Sequence, residues 1–221
     1  MNPLPPLSLL EARVLGVLVE KEKTVADTYP LSLNALTLGC NQKNNREPVL
    51  AAAEGEVLAA IDNLKSANWV IESSGARVTR YSHNVGRVLR VPEQSVALLA
   101  ALMLRGPQTA AELRSAAERL HRFADTSSVE AFLDELANRP EAGGGPLVVL
   151  LPRRPGEREA RWAHLLSGPV KTAAEPEVLA QSRATQATTP VLEQRLEALH
   201  SEVAQLRADL AALRARLDEG R

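Results

Sequence analysis

One order of helix-start signals, apolar periods and turn residues occurs twice along this 221-residue chain. A sequence that repeats an order of elements is restricted to folds built from that unit in duplicate. In the first copy, Ser8-Leu9-Leu10-Glu11 is a capping box: the Ser8 hydroxyl accepts from the amide three residues on, and Glu11 reaches back to the cap amide. Leu10, Val14, Val17 and Leu18 then share one face, which predicts a helix over about residues 8–22. Ser32 caps a second helix that turns Leu33, Leu36 and Cys40 inward, and Val57, Leu58, Ile61 and Leu64 mark a third, ending near Ala67. Trp69-Val70-Ile71-Glu72, the turn Ser73-Ser74-Gly75 and Arg77-Val78-Thr79-Arg80-Tyr81 alternate as a β-hairpin does. Three helices closed by a hairpin is the order of a winged helix.

The second copy keeps that order. Thr109-Ala110-Ala111-Glu112-Leu113 is a capping box in the place of Ser32 to Leu36, a hydroxyl cap followed four residues later by Leu in both. Val129 to Leu136 matches Val57 to Leu64 in the pattern Val-x-Ala-x-Ile/Leu-Asp-x-Leu, and Arg161-Trp162-Ala163-His164 matches Arg80-Tyr81-Ser82-His83. The second hairpin pairs Leu147–Leu151 with a return strand through Trp162, across Pro152-Arg153-Arg154-Pro155-Gly156. Caps, helix pattern and hairpin agree, so the expected fold is mainly α with small β-hairpins (α+β). Two tandem winged-helix modules are expected, over residues 1–91 and 92–168.

Residues 169–190 carry Pro169, Pro176 and Pro190 with no sustained apolar period and read as a linker. Over 191–221, Leu192, Leu196, Leu199, Val203, Leu206, Leu210, Leu213 and Leu217 recur at strict 4,3 spacing, the a/d seam of a coiled coil. A parallel pair sets Glu202 against Arg207 and Asp209 against Arg214, whereas an antiparallel pair sets like charges together. The expected partner is therefore a second copy of the chain, as a parallel homodimer.

Composition narrows function. Formal net charge is −1, so any attraction to nucleic acid must come from a local patch. Neither a basic leader followed by an apolar run nor a membrane-length apolar stretch is present, which argues against export and membrane insertion. Cys40 is the single cysteine, suiting a reducing cytoplasm, and His83, His121, His164 and His200 form no ligand motif. With no Gly-rich phosphate loop and no nucleophile beside a recognisable base, the sequence predicts no catalysis, cofactor or metal. Cys40 reads as a buried small hydrophobe, and Tyr81 and Trp162 as core anchors ending hairpin strands.

The runs Tyr29 to Thr37, Cys40-Asn41-Gln42-Lys43, Asn45-Arg46-Glu47-Pro48-Val49 and Arg105-Gly106-Pro107-Gln108-Thr109 resemble the YceH-like family of bacterial proteins. The resemblance continues through Glu112-Leu113-Arg114, Arg119-Leu120-His121, Phe123-Ala124-Asp125 and Trp162-Ala163-His164-Leu165, spanning about residues 8–168. It implies a bacterial origin and a tandem winged-helix fold with a C-terminal coiled coil, and it implies no activity. The sequence departs from the family pattern at Ala110-Ala111, where Pro-Gly is usual, and near Ala116, where a basic residue is usual. A role for basic charge on the second helix of the second module is thereby weakened.

Two segments are candidates for nucleic-acid contact. Lys43-Asn44-Asn45-Arg46 lies between helices two and three, where winged helices approach the phosphate backbone, and Asn can also reach adenine edges. The same residues suit a loop that caps the flanking helices. Arg77, Arg80, His83, Arg87 and Arg90 lie on and after the first wing, with no acid between Glu72 and Glu93. Against groove insertion, the third helix carries Glu54, Glu56 and Asp62, and its counterpart Glu130, Asp134 and Glu135. The expectation is a dimeric regulatory or architectural protein that associates with double-stranded DNA through the loop and wing. The alternative is an adaptor that binds a protein partner through the acidic third helices or the second module.

Overall fold

The computed structural model describes residues 5–74, 78–153 and 156–170. The chain divides into units Met1–Lys171 and Thr172–Arg221, and the described residues all belong to the first. Arg77 and the coiled-coil seam from Leu192 to Leu217 lie outside the described residues.

Helix α1, Leu9–Thr24, starts where the capping box puts it: the Ser8 hydroxyl accepts from the Glu11 amide at 3.2 Å and the Ser8 amide donates to Glu11 at 2.7 Å. Every residue from Ala12 to Val19 is buried, Arg13 included. A helix covered on all sides is a central element rather than a surface one. Helix α2, Leu33–Cys40, is capped by Ser32, and α3, Glu54–Ser66, starts one turn earlier than its apolar period does. Glu56 accounts for the early start by accepting from the Ala53 amide at 2.7 Å.

Strands β1 (Leu31–Ser32), β2 (Val70–Ser74) and β3 (Thr79–His83) form one antiparallel sheet in the order β1-β3-β2. β1 has only two residues, too short to leave an alternation in the sequence. A short helix α4, Val85–Leu89, comes next and buries Val85 and Leu89.

The second half runs α5 (Glu93–Arg105), α6 (Ala110–Ala117), α7 (Thr126–Ala137), β4 (Val148–Leu150) and β5 (Trp162–His164). Thr109 forms the expected box on α6, and Asp125 caps α7 by accepting from the Ser128 amide at 2.7 Å. Leu150 pairs with Trp162, and Gln108 forms an isolated bridge to Trp162. In the first half Leu31, just before the cap Ser32, pairs with Tyr81. In the second, Gln108, just before the cap Thr109, pairs with Trp162, so the element order and this register both recur.

α5 is buried from Ser95 to Leu104 and packs along α1. Gly16 makes room for that crossing: a Cβ there would lie 2.9 Å from Leu104 Cδ2. The apolar residues of both halves join in one continuous core, in which Trp69, Leu98, Leu99, Leu113 and Leu133 are closed to solvent. Tyr81 and Trp162 are part of it, at 5% and 7% exposure. The described residues are thus a helix-rich α+β structure, and none of their helices is long and apolar enough to cross a membrane.

Candidate nucleic-acid interface

The polar loop between α2 and α3 is held from within. The Asn41 side chain clasps Ala52 through both its amide atoms, each at 2.8 Å, and closes the loop at its base. Two arginines fix its other side. Arg13, fully buried on α1, donates to the Cys40 carbonyl at 3.0 Å and the Pro48 carbonyl at 2.6 Å. Arg46 donates to the Gly39 carbonyl at 3.3 Å. The last turn of α2 thereby gains partners for carbonyls that have none within the helix, with positive charge at the negative end of its dipole.

Arg46, expected at the nucleic-acid surface, is instead 4% exposed. Its guanidinium grips the Glu20 carboxylate in two places, at 2.6 and 3.2 Å, and also donates to Gln42 at 3.2 Å. Burial would raise the Glu20 carboxyl, but the bonds and charge of Arg46 outweigh it and hold the group below its ordinary value. The sequence run shows a basic segment; the carboxylate that draws its arginine inward stands on another helix.

Lys43, Asn44 and Asn45 remain exposed on the outside of the loop. Asn45 takes φ +58°, the left-handed conformation that Asn accepts more readily than most residues, and the chain turns there to send Arg46 inward. On β3, Arg80 is exposed and donates to the Pro30 and Thr28 carbonyls at 2.7 and 3.2 Å, which tethers it to the segment just before β1. Arg87 and Arg90 are exposed, and Arg87 enters no ion pair among the described residues. His83 faces Glu22 at 3.1 Å, with burial lowering its pKa against that carboxylate.

Glu54, Glu56 and Asp62 on α3, and Glu130, Asp134 and Glu135 on α7, are all exposed. The single cation of α3, Lys65, bonds to Asp62 at 3.3 Å and to Glu72 on β2. Both third helices therefore turn carboxylates outward. Cys40 is fully buried and its thiol is pushed up to about 12 by burial, leaving it a small apolar side chain rather than a nucleophile. No group of three or more His, Cys, Asp or Glu among the described residues is placed to hold a metal.

The chain is a helix-rich α+β protein whose family is one of unknown function. Residues 7–157 match the family model described as protein of unknown function, DUF480, and the chain belongs to that family. It is 56% identical over 211 residues to a UPF0502 protein of Leptothrix cholodnii, covering 96% of this chain and 92% of that one. A UPF0502 protein of Acidovorax sp. (strain JS42) is 55% identical over 208 residues, at 94% and 92% coverage. Another, from Methylibium petroleiphilum, reaches 68% identity over 163 residues, at 74% and 68% coverage. The resemblance read from Tyr29–Thr37 and the runs after it is borne out by this membership.

Proposed function

We propose that the protein is a DNA-associated regulatory or architectural protein of the cytoplasm, a homodimer of chains that each carry two tandem winged-helix modules, over residues 1–91 and 92–168. The observation that carries this reading is the built loop: Arg13, Arg46 and Asn41 are engaged inside, and they hold Lys43, Asn44 and Asn45 outward from the end of α2. A preset, solvent-facing loop with one ammonium and two side-chain amides suits phosphate contact. Arg80 on β3 and Arg87 on α4 add exposed charge after the hairpin turn, and Arg77, outside the described residues, is expected to add to it. The outward carboxylates of α3 repel phosphates, so this reading assigns contact to the DNA backbone by loop and wing and leaves α3 out of the major groove. The C-terminal seam, Leu192 to Leu217, supplies the parallel dimer, and the reading involves no catalysis or cofactor.

A second reading rests on α3 and α7. Leu58, 38% exposed, sits among Glu54 and Asp62 on the outward side of α3, an apolar spot within an acidic face of the kind a basic protein partner covers. Retardation of random-sequence duplex DNA at graded salt separates the two. The DNA reading requires binding whose log K falls linearly with log salt, and the adaptor reading requires none.

A further inference from the structure

Beside the loop, where α1 ends against α5, lies a cleft of about 150 Å³. Its polar wall holds Lys21, Arg105 and Arg119, with Gln42 and Asn45 at the edge, and its floor includes Ala101, Leu104 and Ala116. Glu20 is its one carboxylate, and that charge is already committed to Arg46 in a two-point pair, with Lys21 a further 3.5 Å contact. Arg105 and Arg119 enter no ion pair or side-chain hydrogen bond among the described residues.

Arg105 is the informative member. An arginine in the last turn of a helix serves the dipole well enough from solvent. This one is half-buried instead, and burial pulls its guanidinium below its ordinary value, with Arg46 adding to that effect and Glu20 opposing it. Glu20, the one carboxylate of the cleft, is already shared by Arg46 and Lys21, so the cleft carries an excess of positive charge that an oxyanion between Arg105, Arg119 and Lys21 would offset. Planar, forked guanidinium donors match a phosphoryl group.

We infer that this cleft binds the phosphoryl group of a small phosphorylated molecule, with Arg105 and Arg119 as its ligands, Lys21 as a third charge and the Ala101–Leu104–Ala116 floor against the organic part. A pocket of this size admits one phosphoryl group and a few carbons. A duplex, by contrast, presents its phosphates along a broad convex edge. The inference goes beyond the DNA reading and does not depend on it.

The test is an amide NMR titration of the full chain with inorganic phosphate, against chloride at matched ionic strength. Saturable shifts are expected at the cleft-lining stretches of α1 and α5. The pair Arg105→Gln with Arg119→Gln should weaken phosphate by at least roughly tenfold. Arg119→Gln alone, at an exposed position, should weaken it with the spectrum otherwise unchanged, which guards against a folding defect. Lys43→Gln should leave phosphate binding intact, and the cleft pair should leave duplex binding intact, so this site and the DNA surface fail separately. Phosphate shifts that match those of chloride, or that survive in the cleft pair, overturn the site. Loss of duplex binding by the cleft pair places a DNA backbone phosphate there and overturns the small-molecule assignment.

Discussion

Arg46 and Glu20 are the pair on which the α2–α3 loop turns, and their chemistry sets a testable acid sensitivity. Glu20 has a folded pKa below its unfolded value, so the stabilisation it contributes is present above the ordinary carboxyl range and is lost as pH falls through the folded value. Arg46→Met leaves that carboxylate, 19% exposed, beside the loop without its partner, and should cost about 3 kcal/mol at neutral pH by urea unfolding. The variant should also lack the wild-type loss of stability in acid, because its Glu20 no longer titrates low; an unchanged acid limb means that Glu20 is not the group responsible. Trp162→Ala, at a ring 7% exposed, should lower stability by about 3 kcal/mol, and a thermal midpoint like wild type would place the ring outside the core. Trp162 is legible in the sequence because it closes a strand in the place of Tyr81. The burial of Arg46 is not, because a basic run reports charge and not burial, and its acceptor lies 26 residues upstream.

Among the elements, those announced by local chemistry are legible in the sequence. The boxes at Ser8 and Thr109 place the starts of α1 and α6, because a hydroxyl cap with Glu three residues on is satisfied within one turn. β1 is invisible for the opposite reason: its two residues are a strand only because β3 lies alongside. α5 has Pro92 at its cap with no side-chain bond, and apolar residues on every side hide its facing. The α1–α5 crossing is equally silent, since nothing in the sequence links Gly16 to Leu104. Gly16→Ala should therefore destabilise by about 1–3 kcal/mol despite the better helix propensity of Ala, because a Cβ 2.9 Å from Leu104 forces that side chain, and α5 with it, to shift. Combining it with Leu104→Ala should give less than the sum of the single losses in a double-mutant cycle; additive losses would mean that the two residues do not meet.

At the scale of the whole molecule, the proposed function joins a duplicated element order to a dimer and to DNA. The recurring bridge before each cap, Leu31 to Tyr81 and Gln108 to Trp162, is the structural counterpart of the repeat read from the sequence. The proposed dimer rests on the Leu192–Leu217 seam, which lies outside the described residues. Sedimentation of the intact chain should show a dimer, and a truncation ending at Gly168 a monomer; the same state for both would remove the seam as the dimerising element. That exposed cations of the α2–α3 loop and of α4, just after the hairpin, contact DNA phosphates is the central claim, and it is tested most directly by the salt dependence of duplex binding in wild type and in Lys43→Glu with Arg87→Glu. Both side chains are exposed, so the variant should melt like wild type. Wild-type log K should fall linearly with log salt, and the variant should lose binding by at least roughly tenfold with a shallower slope, since each phosphate contact contributes about 0.9 to it. Wild-type binding that ignores salt, or a folded variant with an unaltered slope and affinity, would contradict it.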